Sequence, residues 1–254
     1  MFQLKRASEV TFLRAGLLDE VPGLVHAFST RRAEHPQFTL GPAGTGNPLV
    51  EINRTRFIAA AGAAGWPILK LNQSHSSDVL ELQDTWAANE AVSGDAAITG
   101  VRGALVGVQT ADCVPILIAD SHGRAVAAVH AGWRGTAAHI AERTVERFRE
   151  RFDIPAGDLV AAIGPHNAAC CYEVGSDVFE QFDDPEPFQP GRSPGKWLLN
   201  LALANRRQLE RAGVPADRIA ASTLCTQCRP DLFFSYRREG KRVGRLLSIV
   251  GIAP

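Results

Sequence analysis

Methionine occurs once in this chain, as Met1, and none of its seven histidines stands in a His-x-His pair. Coupled blue-copper and trinuclear copper centres need more histidines than this, many of them paired, together with a His, Cys and Met set, so the chain does not read as a multicopper enzyme. Charge of one sign is missing too. The 27 Lys+Arg balance 27 Asp+Glu for a formal net charge of +0, which leaves no field to attract nucleic acid or an acidic membrane surface. No apolar run approaches the length of a membrane span, and the opening MFQLKRASEVTFLRAGLLDE introduces charges before an apolar core of signal-peptide length can build. Five cysteines, an odd number, do not make a disulfide framework in a chain of this size. The expectation is a soluble cytoplasmic protein with reduced thiols.

What is present is enough apolar material for a large core. With 254 residues, 45% of them hydrophobic, one compact domain over 1–254 is expected, without repeats, low-complexity tracts or long linkers. Apolar runs predict strands at 24 to 30, 67 to 71, 78 to 82, 95 to 99, 104 to 109, 114 to 119, 125 to 130, 158 to 163, 219 to 224 and 243 to 250. Helices are expected at 51 to 64, 136 to 152, 175 to 182 and 198 to 212. In the second of these, Ile140, Ala141, Thr144, Val145, Phe148 and Phe152 recur at three- and four-residue spacing behind Thr136 as a cap. Residues 35 to 50, rich in Gly and Pro, read as a loop. This order is neither a regular βαβ alternation nor all-β, and it predicts an α+β fold with mixed sheets and helices on their outer faces.

The chemistry gathers around a hairpin. Asp120, Ser121, His122, Gly123 and Arg124 separate VPILIA from AVAAVHAG, a turn between two strand-like runs. With Ser121 and His122 at the centre of the loop, Cys113 lies directly opposite His130 on one face, with β-carbons about 5 Å apart. A thiolate and an imidazole so placed serve as two metal ligands or as a nucleophile with its base, against the plainer alternative of a small core thiol beside a hydrogen-bonded histidine.

Neighbouring residues add to this. Gly132, Trp133, Arg134 and Gly135 lead from His130 into the Thr136 helix, where free N–H groups and the Arg134 guanidinium suit an anion. His75, in the polar string from Asn72 to Asp78, is a third ligand candidate. Three N and S donors with an open fourth position are the pattern of a catalytic zinc. Asp112 faces away from such a metal and can act behind it, whereas Asp95 reads as a turn aspartate. The Cys225-x-x-Cys228 pair lacks a second pair in sequence and the adjacent Cys170 and Cys171 cannot bridge without strain, so all four read as structural thiols, with Cys225 within possible reach of the site. The basic run of Arg237, Arg238, Lys241, Arg242 and Arg245 is an anion contact or, by the usual tendency, a solvated face.

The strings Asn72-Gln73-Ser74-His75, Thr110-Ala111-Asp112-Cys113-Val114-Pro115, His130-Ala131-Gly132-Trp133-Arg134-Gly135, Ile163-Gly164-Pro165, Tyr172-Glu173-Val174-Gly175 and Phe233-Phe234-Ser235-Tyr236-Arg237-Arg238, in this order, resemble the laccase-domain family. That family is also called the polyphenol oxidase or peptidoglycan editing factor family and is described as a zinc-dependent purine nucleoside phosphorylase and adenosine deaminase. The match runs from about His26 to Ile249. The resemblance implies α/β/β/α layers, with His75, Cys113 and His130 as metal ligands. It also implies Arg54 near the substrate, and Phe28-Ser29-Thr30-Arg31 resembles the family's N-terminal signature. Ser76 stands where the family commonly has Gly, and His166 where it commonly has Cys. His166 is expected to be an exposed loop residue, with pocket lining or a metal contact as alternatives.

Four functional readings follow. The leading one is phosphorolysis of adenosine, inosine or methylthioadenosine with deamination of adenosine, using zinc and small-molecule nucleoside and phosphate, the latter at Arg134 with Arg31 or Arg54. The second is a Cys113 and His130 hydrolase that cleaves an amide in a peptidoglycan precursor. A copper-dependent phenol oxidase is disfavoured by the histidine count, although copper can occupy the same donors. A non-catalytic binding protein is the fourth.

Overall fold

The computed structural model describes residues 1–34, 38–41, 48–83, 91–241 and 243–254. Much of the Gly- and Pro-rich loop expected at 35 to 50, and Arg242 of the basic run, lie outside them. Two large sheets stack face to face. In one, the spatial order is Phe2–Ala7, Val10–Ala15, Leu24–Ala33, Leu246–Ile252, Leu105–Thr110, Ile68–Asn72 and Ala91–Ser93. In the other it is Ile219–Ala221, Leu159–Ile163, Val114–Asp120, Val126–Ala131, Ala96–Thr99 and Val79–Glu81. Both are mixed. Leu246–Ile252 runs antiparallel to both neighbours, while Ile68–Asn72 is parallel to Leu105–Thr110, and Val79–Glu81 to Ala96–Thr99.

Side-chain alternation assigns the layers. Along Val114–Asp120, Leu117 and Ala119 enter the core between the sheets with Phe28, Val106, Val108 and Val250. Ile116 and Ile118 enter a second core on the opposite face, with Ile140, Val145 and Phe148 of the helix Ile140–Phe152 and Leu209 of the helix Leu201–Arg211. A strand buried on both faces carries a continuous apolar run, which is why this segment shows no period of two. A third core places Phe57 and Ile58 of the helix Pro48–Ala60 against Ala27, Leu105, Leu247 and Ile249. Helix, sheet, sheet and helices therefore succeed one another, the α/β/β/α arrangement that the resemblance implies. A small antiparallel sheet of Glu173–Gly175, Lys196–Leu199 and Phe188–Pro190 lies beside the second sheet, with Phe179 stacked on Trp197 at 4.2 Å.

Three expectations are corrected. The helix read from Thr136 to Phe152 is two helices, Trp133–Ala137 and Ile140–Phe152, broken at His139 with φ 61. Thr136 does not cap the longer one. Its hydroxyl donates to the Gly132 carbonyl at 3.0 Å and accepts from Asn205 Nδ2 at 2.9 Å. The helix expected from 198 starts at Leu201 behind Asn200, whose side chain accepts the Leu203 N–H, because Lys196–Leu199 is spent on a strand. The hairpin register also differs. His130 pairs with Pro115, and Ala131 with Val114, because the turn contains Gly123 in the left-handed region at φ 69, with its N–H on the Asp120 carbonyl. The shift is two positions, so Cys113 keeps the face shared with His130, though not the directly opposite place.

Candidate metal centre and its cavity

His75, Cys113 and His130 each offer a ligand atom, all within 4.8 Å of one another. His130 comes from a strand in the middle of the second sheet, Cys113 from the residue before the neighbouring strand, and His75 from the loop after Ile68–Asn72. The site therefore bridges the ends of the two sheets. His75 Nε2 lies 3.9 Å from Cys113 Sγ, and the two imidazoles meet edge to face at 4.9 Å.

Asp95 organises this arrangement. Fully buried, its carboxylate accepts from His130 Nδ1 at 2.7 Å and from three consecutive backbone N–H groups, those of Ser74, His75 and Ser76, at 3.1, 3.0 and 2.7 Å. The Ser76 hydroxyl adds a further bond at 2.9 Å, a role for the serine that stands where the family commonly has glycine. The convergence holds His75 at φ 63, a region a non-glycine residue enters only when its surroundings fix it. A second clasp fixes the same loop: the Gln73 side chain donates to the Gln109 carbonyl at 2.8 Å and accepts the Gln109 N–H at 2.7 Å. Binding Nδ1 to a carboxylate leaves Nε2 of His130 for a ligand, the carboxylate–histidine pairing found behind metal-bound imidazoles. Asp95 is thus no ordinary turn aspartate.

Packing at Gly132 is as restrictive. A β-carbon there would lie 3.0 Å from His75 Cδ2 and 3.2 Å from Cys113 Sγ, so a side chain would press on two of the three donors. Electrostatics match the geometry. Burial pushes the Cys113 thiol up, but His130 and His75 outweigh it and bring it down to about 6. Burial opposes charging of His130, yet the facing thiolate and Asp95 raise it to about 9. The donor set thus favours a thiolate, the form a metal binds.

These residues stand on one wall of a cavity of about 670 Å³, a size suited to a small organic ligand. Arg134, Arg237 and Arg245 also line it, as do Trp133 and Tyr172. The Arg134 guanidinium lies 4.2 Å over the Trp133 ring and that of Arg237 4.9 Å over Tyr172. Arg237 further donates to the Glu173 carbonyl at 3.0 Å. Three cations around a cleft suit an anionic group.

The family described as multi-copper polyphenol oxidoreductase laccase matches residues 28–253. The chain belongs to that family. A purine nucleoside phosphorylase of Haemophilus influenzae is 34% identical over 243 residues, covering 91% of this chain and 95% of that protein. An adenosine deaminase from an unknown prokaryotic organism is 42% identical over 172 residues, 65% of this chain and 64% of that one. The crystal structure of YlmD from Geobacillus stearothermophilus superposes with a TM-score of 0.88 at 31% identity, over 99% of both chains.

Not every residue singled out in the sequence reaches the laccase-domain cavity. Arg54 is buried and does not line it, facing instead a small neighbouring pocket that shares Leu71, Gln73 and Gln109 with the cavity; its guanidinium donates to the Leu40 and Gly41 carbonyls at 3.0 and 2.5 Å and pairs with Glu51 at 3.0 Å. Arg31 lies 4.4 Å over the Phe234 ring and pairs with Glu239 at 3.0 Å. Arg237 and Arg245 line the cavity with Arg134, where Arg54 and Arg31 were expected, and the weak signal for them is the basic run, which reads first as a solvated face. Arg238 beside them is spent on the carbonyls of Thr226, Gln227 and Phe233. Asp112, at φ 98, turns its carboxylate to Thr226 Oγ1 at 2.6 Å and the Arg237 N–H at 2.7 Å, which ties the arginine-bearing segment to the residue before Cys113. His166 is buried rather than exposed. Its Nδ1–H donates to the Gly164 carbonyl at 2.9 Å, and it belongs to neither the cavity lining nor the donor set.

Proposed function

We propose that this protein is a purine nucleoside phosphorylase that also deaminates adenosine, with zinc held by His75, Cys113 and His130. The observation that carries the reading is the pairing of a preorganised His/Cys/His set with an arginine-lined cavity in one cleft. The donors fit the ion: one thiolate and two imidazoles suit zinc, and Asp95 behind His130 and the crowding at Gly132 fix their directions. When bound there, zinc supplies Lewis acidity at neutral pH to a group entering the cavity.

The remaining work falls to side chains of the chain itself. Arg134, Arg237 and Arg245 hold inorganic phosphate, and the stacking of the first two on Trp133 and Tyr172 fixes their guanidinium planes before phosphate arrives. Phosphorolysis joins a phosphate oxygen to ribose C1′ as the bond to the purine nitrogen breaks, which yields free base and ribose 1-phosphate. The names of the relatives from Haemophilus influenzae and the unknown prokaryote support both activities. A multicopper oxidase is not favoured: the chain has seven histidines, and only one His/Cys/His group forms among the described residues.

The test is metal content of protein purified without added metal, beside chromatography of adenosine incubated with and without phosphate. Adenine appearing only with phosphate, together with bound zinc, is the expected result. Absence of both metal and purine turnover overturns the reading and leaves a Cys113 amide hydrolase as the next idea to examine.

A further inference from the structure

We propose a second metal site, remote in function from the first, in which Cys170, Cys171, Cys225 and Cys228 bind one zinc ion as a tetrathiolate. The C-x-x-C of Cys225 and Cys228 lacks a second pair in sequence, and the fold supplies it. The loop after Leu159–Ile163 brings the adjacent Cys170 and Cys171 against the turn after Ile219–Ala221, the two segments joined by a bridge between His166 and Cys225 and by the Thr226 N–H on the His166 carbonyl at 2.9 Å.

All four sulfurs lie within 4.8 Å of one another, and three of the separations are 3.4, 3.7 and 3.8 Å. These are far from a disulfide bond of about 2.05 Å, and all four thiols are free. They match a tetrahedron instead: with zinc–sulfur bonds of about 2.3 Å its edge is about 3.8 Å. Backbone N–H groups of Ala168, Gln227 and Cys228 are directed at the buried Cys225 sulfur, the contacts that stabilise a metal-bound thiolate. A closed set of four sulfurs leaves no open position, so the ion is structural.

Its place in the fold gives it a task. Cys171 precedes Tyr172, which lines the catalytic cavity. Cys225 precedes Thr226, whose hydroxyl holds Asp112, the residue before Cys113. The ion ties together two segments that shape the cavity wall.

The experiment is metal analysis of zinc-saturated, desalted protein as wild type, Cys113→Ala and Cys170→Ser/Cys228→Ser, with cobalt spectra of the same three. Cys170 and Cys228 are exposed, so their replacement by serine does not disturb the core. Wild type is expected to hold about two ions. Cys113→Ala keeps one, with the intense charge-transfer bands of several thiolates. The double variant loses that signal and melts at lower temperature. Because Cys113→Ala removes the first site, failure of that site and failure of this one are read separately. Should the double variant not fold, the cobalt spectrum of Cys113→Ala decides alone. A spectrum without multi-thiolate bands, immediate reaction of Cys170 and Cys228 with a thiol reagent in zinc-saturated protein, or a native Cys171–Cys228 disulfide overturns the proposal.

Discussion

Asp95 and His130 are joined by a 2.7 Å hydrogen bond in which both partners are buried, and the same carboxylate gathers the backbone of the loop that presents His75. One side chain thus sets the ring orientation of one candidate ligand, His130, and the backbone conformation of another, His75. Replacing it by asparagine keeps the volume, but its amide nitrogen faces N–H groups with no lone pair to offer. Asp95→Asn is expected to weaken zinc binding about 10- to 100-fold, measured by competition with a chelator, and to lower the melting temperature. Unchanged affinity would mean that the loop is held by other contacts.

Gly132→Ala tests the crowding at the donors. The backbone there has φ −73, which alanine adopts freely, so any effect arises from the methyl group against His75 and Cys113. Displacement of the donors by a few tenths of an ångström is expected to cost on the order of tenfold in turnover, with thermal stability close to wild type. Wild-type turnover in Gly132→Ala would show that the three donors do not need this packing.

The arginines separate by task. Arg134→Ala is expected to raise the KM for phosphate roughly tenfold or more, the worth of a charge-assisted contact, with little change in melting temperature. Arg54→Met leaves the Leu40 and Gly41 carbonyls without their donor and is expected to cost about 2 to 4 kcal/mol of stability, read by denaturant unfolding, while the KM of the folded enzyme is unchanged. The opposite pattern would place Arg54 with the substrate.

His26 gives the protein a pH-dependent stability independent of the site. It is fully buried, its Nε2 accepts the Ala15 N–H at 2.9 Å, and its Nδ1 has no partner among the described residues. Burial first, and then Arg14, lower it to about 4, against the opposing pull of Asp19. The folded protein therefore resists the proton that the unfolded chain takes up near pH 6.5. Stability from this group is complete above pH 6.5 and declines as pH falls toward 4, by about 3 kcal/mol over the window. Unfolding free energies at pH 7 and pH 4.5 should differ more in wild type than in His26→Gln, and equal differences would show that His26 is not the group responsible.

Much of the candidate site is legible in the sequence because Cys113 and His130 sit at the ends of strongly apolar strands. Val114–Asp120 and Val126–Ala131 announce themselves, and a two-position error in their pairing leaves Cys113 and His130 on the same face. The strands missed are Phe2–Ala7, Val10–Ala15, Ala91–Ser93 and the pieces of the small sheet, such as Phe188–Pro190. Apart from Val10–Ala15, which is mostly apolar and buried, these are short or polar, and pairing rather than residue preference makes them strands. Asp95 was legible only as a turn residue, since its importance lies in three N–H groups about twenty positions away. The four-cysteine cluster was hidden for the same reason: its halves are more than fifty residues apart and meet only through the fold.

The measurement that bears most directly on the metal-centre account is phosphate-dependent release of adenine from adenosine by Cys113→Ala beside wild type, each checked for fold by circular dichroism. The account predicts that the variant folds, lacks the His/Cys/His-bound zinc and releases no adenine above background. Adenine release at the wild-type rate by folded Cys113→Ala would contradict it.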